Sequence, residues 1–395
     1  MRTLDTVNFS NKKALIRVDF NVPLDENKRV TDHTRIKAAK PTIDKVLADG
    51  GSCVLMTHLG RPKGVDDKLS LRHIISEIQK VLGVDIQFSK HTIGLEAQAQ
   101  ARSLQPGQVM LLENLRFYDE ETKGDEQFAN ALSTLADCYI NDAFGTAHRA
   151  HASTTIVAQF FPNEKYFGYL LAQEIDAIDR VMSTGEKPVL AVLGGAKVSS
   201  KITIIENILD KVDHLIIGGG MSFTFAKAKG GQIGNSICED DKLELALSIL
   251  RSAKEKGVQI HLPTDVVAGD QFSSEANQQT FPIDQIPDGW EGMDAGPVTV
   301  AAFRVVVLQS KTILWNGPLG VFEFSSFSQG TIALGEAISA STKNGAFSLV
   351  GGGDSVAAVK QFNMENEVSY VSTGGGAMLE SLEGKTLPGI AAILA

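Results

Sequence analysis

One property of this chain narrows its fold more than any other: its hydrophobic pattern keeps switching period. Short apolar runs that do not alternate give way, repeatedly, to stretches whose apolar residues fall three and four apart. In the first half the runs are KALIRVDFNV (13–22), SCVLMTHLG (52–60), VDIQF (84–88), VMLLENL (109–115) and DCYINDAFG (137–145). In the second they are PVLAVLGG (188–195), HLIIGGG (214–220), QIHLPTDVV (259–267), KTILWNGP (311–318), FSLVGGG (347–353) and VSYVSTGGG (368–376). A run that is apolar throughout reads as a strand buried on both faces, the habit of parallel sheets. Amphipathic stretches separate the runs, among them TRIKAAKPTIDKVLADGG (34–51), LRHIISEIQKVLG (71–83), SKITIIENILDKV (200–212) and DDKLELALSILRSAKEKG (240–257). In LRHIISEIQKVLG, Ile74, Ile75, Ile78 and Leu82 share one helical face and Gly83 stops it. Strand, helix, strand, repeated end to end, predicts an α/β fold of parallel sheets with right-handed crossovers and helices on both faces.

With 395 residues and 43% hydrophobic content, the chain has enough length and apolar mass for two such doubly wound domains. Their join is expected in FGYLLAQEIDAIDRVMSTGEKP (167–188). There Leu171, Ile175, Ile178 and Met182 make one helical face, Glu174, Asp176 and Asp179 take the others, and Gly185 and Pro188 end the helix. A net charge of −10 argues against nucleic acid or an anionic membrane as a bulk partner. A local basic site for a small anion stays open. Cys53, Cys138 and Cys238 are few, odd in number and unpatterned, as expected of reduced thiols in a cytoplasmic protein. The N-terminal stretch lacks the apolar core of a secretory signal, and no run is long enough to span a bilayer, so a soluble protein is expected.

In open parallel sheets, ligands bind beyond the carboxyl ends of the strands. The first-half strand ends are rich in cations: Arg17, Asp19 and Asn21; His58, Arg61 and Lys63; Asn114 and Arg116; His148, Arg149 and His151. Arg35 opens the first helix, just after Thr31 and Asp32, either of which is a capping type. Each arginine alone is as easily a surface ion-pair partner. Together on one rim of an acidic protein they suit a small polyanion, since a guanidinium grips carboxylate and phosphate with two parallel hydrogen bonds. His148 and His151 read as loop-orienting residues. The second-half strand ends are glycine-rich: GGAKVSSK, GGGMSF, WNGPLGVFE, GGGDS and STGGG. Turns of this kind expose backbone amides for phosphates. Lys197 and Lys201, four apart at an expected helix start, would reach one phosphate chain. Phe223, Pro318, Leu319 and Val321 suit a flat apolar slot for a base, with Glu323 placed for a ribose hydroxyl. Gly351, Gly352 and Gly353 leave room for phosphates, and Asp354 is the candidate ligand for Mg²⁺, a hard cation that prefers oxygen. Neither a Walker loop nor a G-x-G-x-x-G fingerprint is present, which weighs against a dinucleotide-dependent oxidoreductase. No H-R-D loop supplies a base either. Phosphoryl transfer to a carboxylate needs none, because that acceptor is already a nucleophile.

The blocks RVDFNVP, THLGRPKG, LLENLRF, NDAFGTAHRAHAS, GGAKVSSK, WNGPLGVFE, GGGDS and STGGGAMLESLEGKTLPG stand in the order found in the phosphoglycerate kinase family, which this chain resembles from about residue 3 to its end. The resemblance implies reversible phosphoryl transfer between 1,3-bisphosphoglycerate and ADP, with Mg²⁺, in a cytoplasmic monomer that closes two domains over a cleft. It implies domains at 1–168 and 169–379, the second opening with the joining helix, and a tail at 380–395 that returns to the first. Asp19, Asn21, Arg35, His58, Arg61, Arg116 and Arg149 would hold the acid. Lys197, Lys201, Gly218, Gly219, Gly220, Gly292, Glu323, Gly351, Gly352, Gly353, Asp354 and Ser355 would hold the nucleotide, with Asp354 on the metal. Arg35, Lys197, Lys201 and Gly375, the last with Gly374 and Gly376, would act on the moving phosphoryl group. Ser200, Val298 and Ser355 depart from the residues common in that family. An inactive relative kept for binding is the alternative; loss of Arg35, Lys201 or Asp354 would favour it, and all three are present.

Overall fold

A computed structural model describes residues 4–395. Its strands, in chain order, are β1 Lys13–Val18, β2 Ser52–Met56, β3 Ile86–Phe88, β4 Val109–Leu111, β5 Cys138–Asp142, β6 Lys165–Phe167, β7 Val189–Leu193, β8 His214–Ile217, β9 Gln232–Ile233, β10 Gln259–His261, β11 Asp265–Gly269, β12 Gln278–Pro282, β13 Gln285–Ile286, β14 Glu291–Ala295, β15 Thr312–Asn316, β16 Phe347–Val350 and β17 Tyr370–Val371. Two six-stranded parallel sheets form, ordered β3-β4-β2-β1-β5-β6 and β10-β8-β7-β15-β16-β17.

The lack of alternation in the strands has a direct cause. Along β1, Ala14, Ile16 and Val18 join one buried cluster with Cys53, Leu55 and Ile140, while Leu15 joins a second with Val54, Met110 and Tyr139. Both faces of the sheet are core, so apolar residues fill both sets of positions in β1 apart from the buried Arg17. The second sheet builds one of its layers from Leu190, Val192, Ile216, Ile313, Trp315 and Val350.

Three features depart from the sequence expectation. The run QIHLPTDVV is not one strand. Pro263, which has no N–H for a ladder, divides it into β10 of the parallel sheet and β11 of a separate antiparallel sheet ordered β12-β11-β14. The segment around Lys197 and Lys201 is turn rather than helix: Lys201 immediately precedes the helix Ile202–Ile208 without a side-chain capping bond, and Ser199 is tethered through its amide (3.0 Å) and hydroxyl (2.5 Å) to Glu239, forty residues on. Finally, Glu174, expected off the apolar face of the joining helix, is wholly buried all the same.

The chain divides into two compact units, Met1–Ile175 with Thr386–Ala395, and Asp176–Lys385. The division falls inside the expected joining helix, Tyr169–Asp179, which continues as a π-helical turn, Arg180–Thr184. Residues 380–385 stay with the second unit, where Asn207 Nδ2 donates to the Leu382 carbonyl (2.6 Å) in the helix Gly376–Leu382. The last helix, Pro388–Leu394, belongs to the first unit, with the Gly389 amide donating to the Ala147 carbonyl (2.9 Å). Among the described residues, no helix is long and apolar enough to cross a membrane.

Candidate functional site

In the first unit, β1 connects onward to β2 on one side of it while β5 connects to β6 on the other, so the switch in direction lies between β1 and β5. Ligands in open α/β sheets sit beyond the strand ends at such a point. Asp19 follows β1 and is 7% exposed; its Oδ2 accepts from Arg35 Nη1 at 2.6 Å. Arg35 sits in the first turn of the helix Thr34–Ala48. Asn21 Oδ1 accepts from the Gly60 amide (2.8 Å), tying the segment after β1 to the THLGRPKG loop. Arg116 Nη1 donates to the Gly60 carbonyl (2.9 Å) on the other side of that residue. His58 is buried, Arg61 is exposed, and Arg116 and Arg149 are half-buried.

The electrostatics of these side chains are coupled. Burial, and then Arg17, Arg149 and Arg61, push the Arg116 guanidinium down to about 10. Burial with Arg17, Arg116 and Arg35 holds His58 well below the ordinary imidazole value. His151 falls to about 4 through burial, Arg116 and Arg17. These groups are close enough to repel one another. Arg116 Nε and His151 Nδ1 are also buried without a hydrogen-bond partner. An anion seated there would answer both conditions.

Arg17 departs from the rim. Its side chain is fully buried, bound to the Ser153 hydroxyl (Nε, 2.8 Å), the Val18 carbonyl and His58. Glu121, which no sequence pattern singles out, lies beneath it, wholly buried, accepting from the Ser153 amide (2.9 Å) and hydroxyl (2.6 Å).

In the second unit the same switch lies between β7 and β15, and a cavity of about 380 Å³ opens there. Gly218, Gly219 and Gly220 form one wall, and Phe223, Pro318, Leu319 and Val321 supply the apolar surfaces, with Gly292, Glu323 and Asp354 also on the lining. The glycines are required: a Cβ on Gly292 would enter the Phe223 ring and one on Gly218 would strike Leu319, while Gly219 has φ +65°. Ile237, Pro263, Phe272 and Met293 also line it and carry no motif that marks them. Asp294 is the cavity's buried carboxyl, pushed up to about 7 by burial although the Gly330 and Ala295 amides donate to it.

Lys201 donates to Asn316 Oδ1 at the end of β15, and Asn316 Nδ2 donates to the Gly351 carbonyl (2.8 Å). Burial lowers the Lys201 pKa while Asp354 raises it. Asn316 thus braces the lysine against the glycine loop. Gly352 (φ +91°) and Gly353 lead into the helix Gly353–Gln361, with Asp354 exposed in its first turn. Ser355 faces inward instead: it is fully buried and its hydroxyl accepts from the Gly317 amide (2.5 Å), so it holds the WNGP turn. Lys197 is exposed in the preceding loop. Gly375 (φ +49°) precedes the helix Gly376–Leu382, with open space where a side chain would stand.

The family model described as phosphoglycerate kinase matches residues 4–385. The phosphoglycerate kinase of Porphyromonas gingivalis is 54% identical over 99% of both chains, and that of Nostoc punctiforme is 50% identical over 100% of this chain and 98% of its own. The solved structure of phosphoglycerate kinase from Coxiella burnetii superposes with a TM-score of 0.92 at 40% identity, covering 100% of this chain and 98% of the other.

Proposed function

The chain belongs to the phosphoglycerate kinase family, and from that premise we propose how its two sites divide the reaction. It is a phosphotransferase of glycolysis: a phosphoryl group passes reversibly from the acyl phosphate of 1,3-bisphosphoglycerate to ADP, giving 3-phosphoglycerate and ATP. The acid lies in the first unit. Asp19 and Asn21 take its hydroxyl end, and His58, Arg61, Arg116 and Arg149 take its phosphate. Arg35 points its charge at the carboxyl end, where the phosphoryl group leaves or arrives. The observation that carries this assignment is the crowd of like charges with two buried, unpartnered nitrogens.

The nucleotide lies in the second unit, its base against Phe223, Pro318, Leu319 and Val321 and beside Gly218, Gly219, Gly220 and Gly292, its ribose at Glu323, and its phosphates along Gly351, Gly352 and Gly353 near Lys197 and Lys201. Ser355 serves that loop through its bond to Gly317. No group of three metal-ligating side chains exists among the described residues. Exposed Asp354, beside the glycine loop, therefore fits Mg²⁺ shared between one carboxylate and phosphate oxygens. The ion would supply charge neutralisation on the phosphates. The carboxylate acceptor needs no base, so the protein's task is placement and charge: Arg35 and Lys201 stabilise the transferring group and the amides at Gly374, Gly375 and Gly376 receive it. The units act as an acid domain and a nucleotide domain, and a hinge-bending closure excludes water from the acyl phosphate. The enzyme works as a cytoplasmic monomer.

Arg35→Ala tests the division of labour. Turnover is expected to fall at least about 10²-fold, the scale of one lost electrostatic contact to a developing charge, with ADP affinity unchanged by calorimetry. A matching loss of ADP affinity would place Arg35 with the nucleotide and refute the assignment.

A further inference from the structure

We propose that Arg17 is a positioning residue: from beneath the acid site it fixes which nitrogen of His58 carries the proton. The proposal rests on the reading of the arginine rim as the acid site. Arg17 Nη2 lies 3.2 Å from His58 Nδ1, and both residues are buried. A guanidinium has only donors and does not deprotonate in proteins, so Nδ1 accepts. A neutral imidazole has one N–H, which therefore sits on Nε2. A proton on Nδ1 would set two donors face to face.

The surroundings make the same choice. The charged and titratable groups facing the ring are Arg17 from β1, Arg116 from the turn after β4, Arg35 from the helix Thr34–Ala48 and His151 from the loop after β5, and each disfavours imidazolium. His58 thus offers an uncharged N–H whose proton count stays constant through the working pH range. Arg17 is held for this task by a relay of fixed direction. Ser153 Oγ accepts from Arg17 Nε at 2.8 Å, so its single proton goes to Glu121 Oε1 at 2.6 Å. Glu121, wholly buried, supplies the countercharge at one remove and ends 3.9 Å from His151 Nδ1. Neither Arg17 nor Glu121 needs to touch the acid to decide how the acid is met.

The test is ¹⁵N nuclear magnetic resonance of the full chain with labelled histidine, the His58 signal being assigned by its loss in His58→Gln. Expected is an Nε2–H tautomer without ligand, not titrating between pH 5 and 8. An Nδ1–H tautomer, or titration near the ordinary imidazole pKa of about 6.5, would overturn the proposal. This wild-type result decides the matter even if variants fail to fold. In Arg17→Met combined with Glu121→Gln, which removes both charges together, the ring should mix tautomers or titrate. The Kd for 3-phosphoglycerate should then rise about tenfold, the scale of one hydrogen bond to a charged group, with ADP affinity unchanged. Arg17→Lys, still a pure donor, should restore the tautomer; an unaltered ring in the double variant would overturn the role given to Arg17. If 3-phosphoglycerate leaves an Nε2–H signal unmoved, the acid-site reading fails while the tautomer assignment holds.

Discussion

Replacing Arg116 by methionine should make the ligand-free protein more stable and its acid site nearly useless. The guanidinium is driven well below its ordinary value, down to about 10, first by burial and then by Arg17, Arg149 and Arg61. At about 1.4 kcal/mol per tenfold, that drop corresponds to about 3 kcal/mol. Solvent screening of a half-buried group reduces it to about 2 kcal/mol. Methionine keeps the apolar stem but loses the bond from Nη1 to the Gly60 carbonyl (2.9 Å), which costs about 1 kcal/mol. The balance is about 1 kcal/mol in favour of the variant, or about 2–4 °C in Tm for a unit of 150–250 residues. Scanning calorimetry with and without 3-phosphoglycerate measures both effects. Tm should rise without ligand, and the upward shift that 3-phosphoglycerate gives the wild type should largely vanish, as a loss of about 2 kcal/mol or more in binding requires. A variant that is less stable alone yet still fully stabilised by 3-phosphoglycerate would refute both the repulsion and the site.

Gly292→Val should drive a side chain into the Phe223 ring and raise the Kd for ADP at least about 100-fold by calorimetry, leaving 3-phosphoglycerate binding intact; unaltered ADP affinity would remove the base from this cavity. Asp142 is pushed up to about 7 by burial, while the Leu170 and Leu171 amides and Thr42 act the other way. Because its folded pKa is raised, the stability tied to its protonated form is full below the ordinary value of 3.8 and is lost as pH climbs through about 7. Asp142→Asn keeps an acceptor without the buried charge, so its Tm advantage over the wild type should grow between pH 4 and 7 and then level off. A pH-independent difference would contradict this.

Much of the fold could be read in the chain because parallel strands buried on both faces leave an unmistakable apolar record. What escaped detection lacked that record. β12 is exposed and polar, β6 is three residues long, and β10 and β11 form one apolar run that only Pro263 divides. The turn at Lys197 was illegible for another reason: it depends on Ser199 meeting Glu239, a contact no local pattern encodes. The arginine rim was visible because parallel strands end at a common edge, so charges after separate strands gather in space. The support beneath it was not. Arg17 stands in an apolar strand and Glu121 in a short acidic helix, and only the folded chain places Ser153 between them. Ser355 shows the converse: a residue in the right loop can face inward and brace its neighbour.

A crystal structure of the protein with 3-phosphoglycerate and Mg-ADP bound together tests the whole account most directly. The acid's phosphate should lie within hydrogen-bond reach of Arg61, Arg116 and Arg149 with His58 Nε2 donating to it, and the base should sit against Phe223 and Leu319 with the metal on Asp354. Both ligands in one unit, or a phosphate that touches none of those arginines, would contradict it.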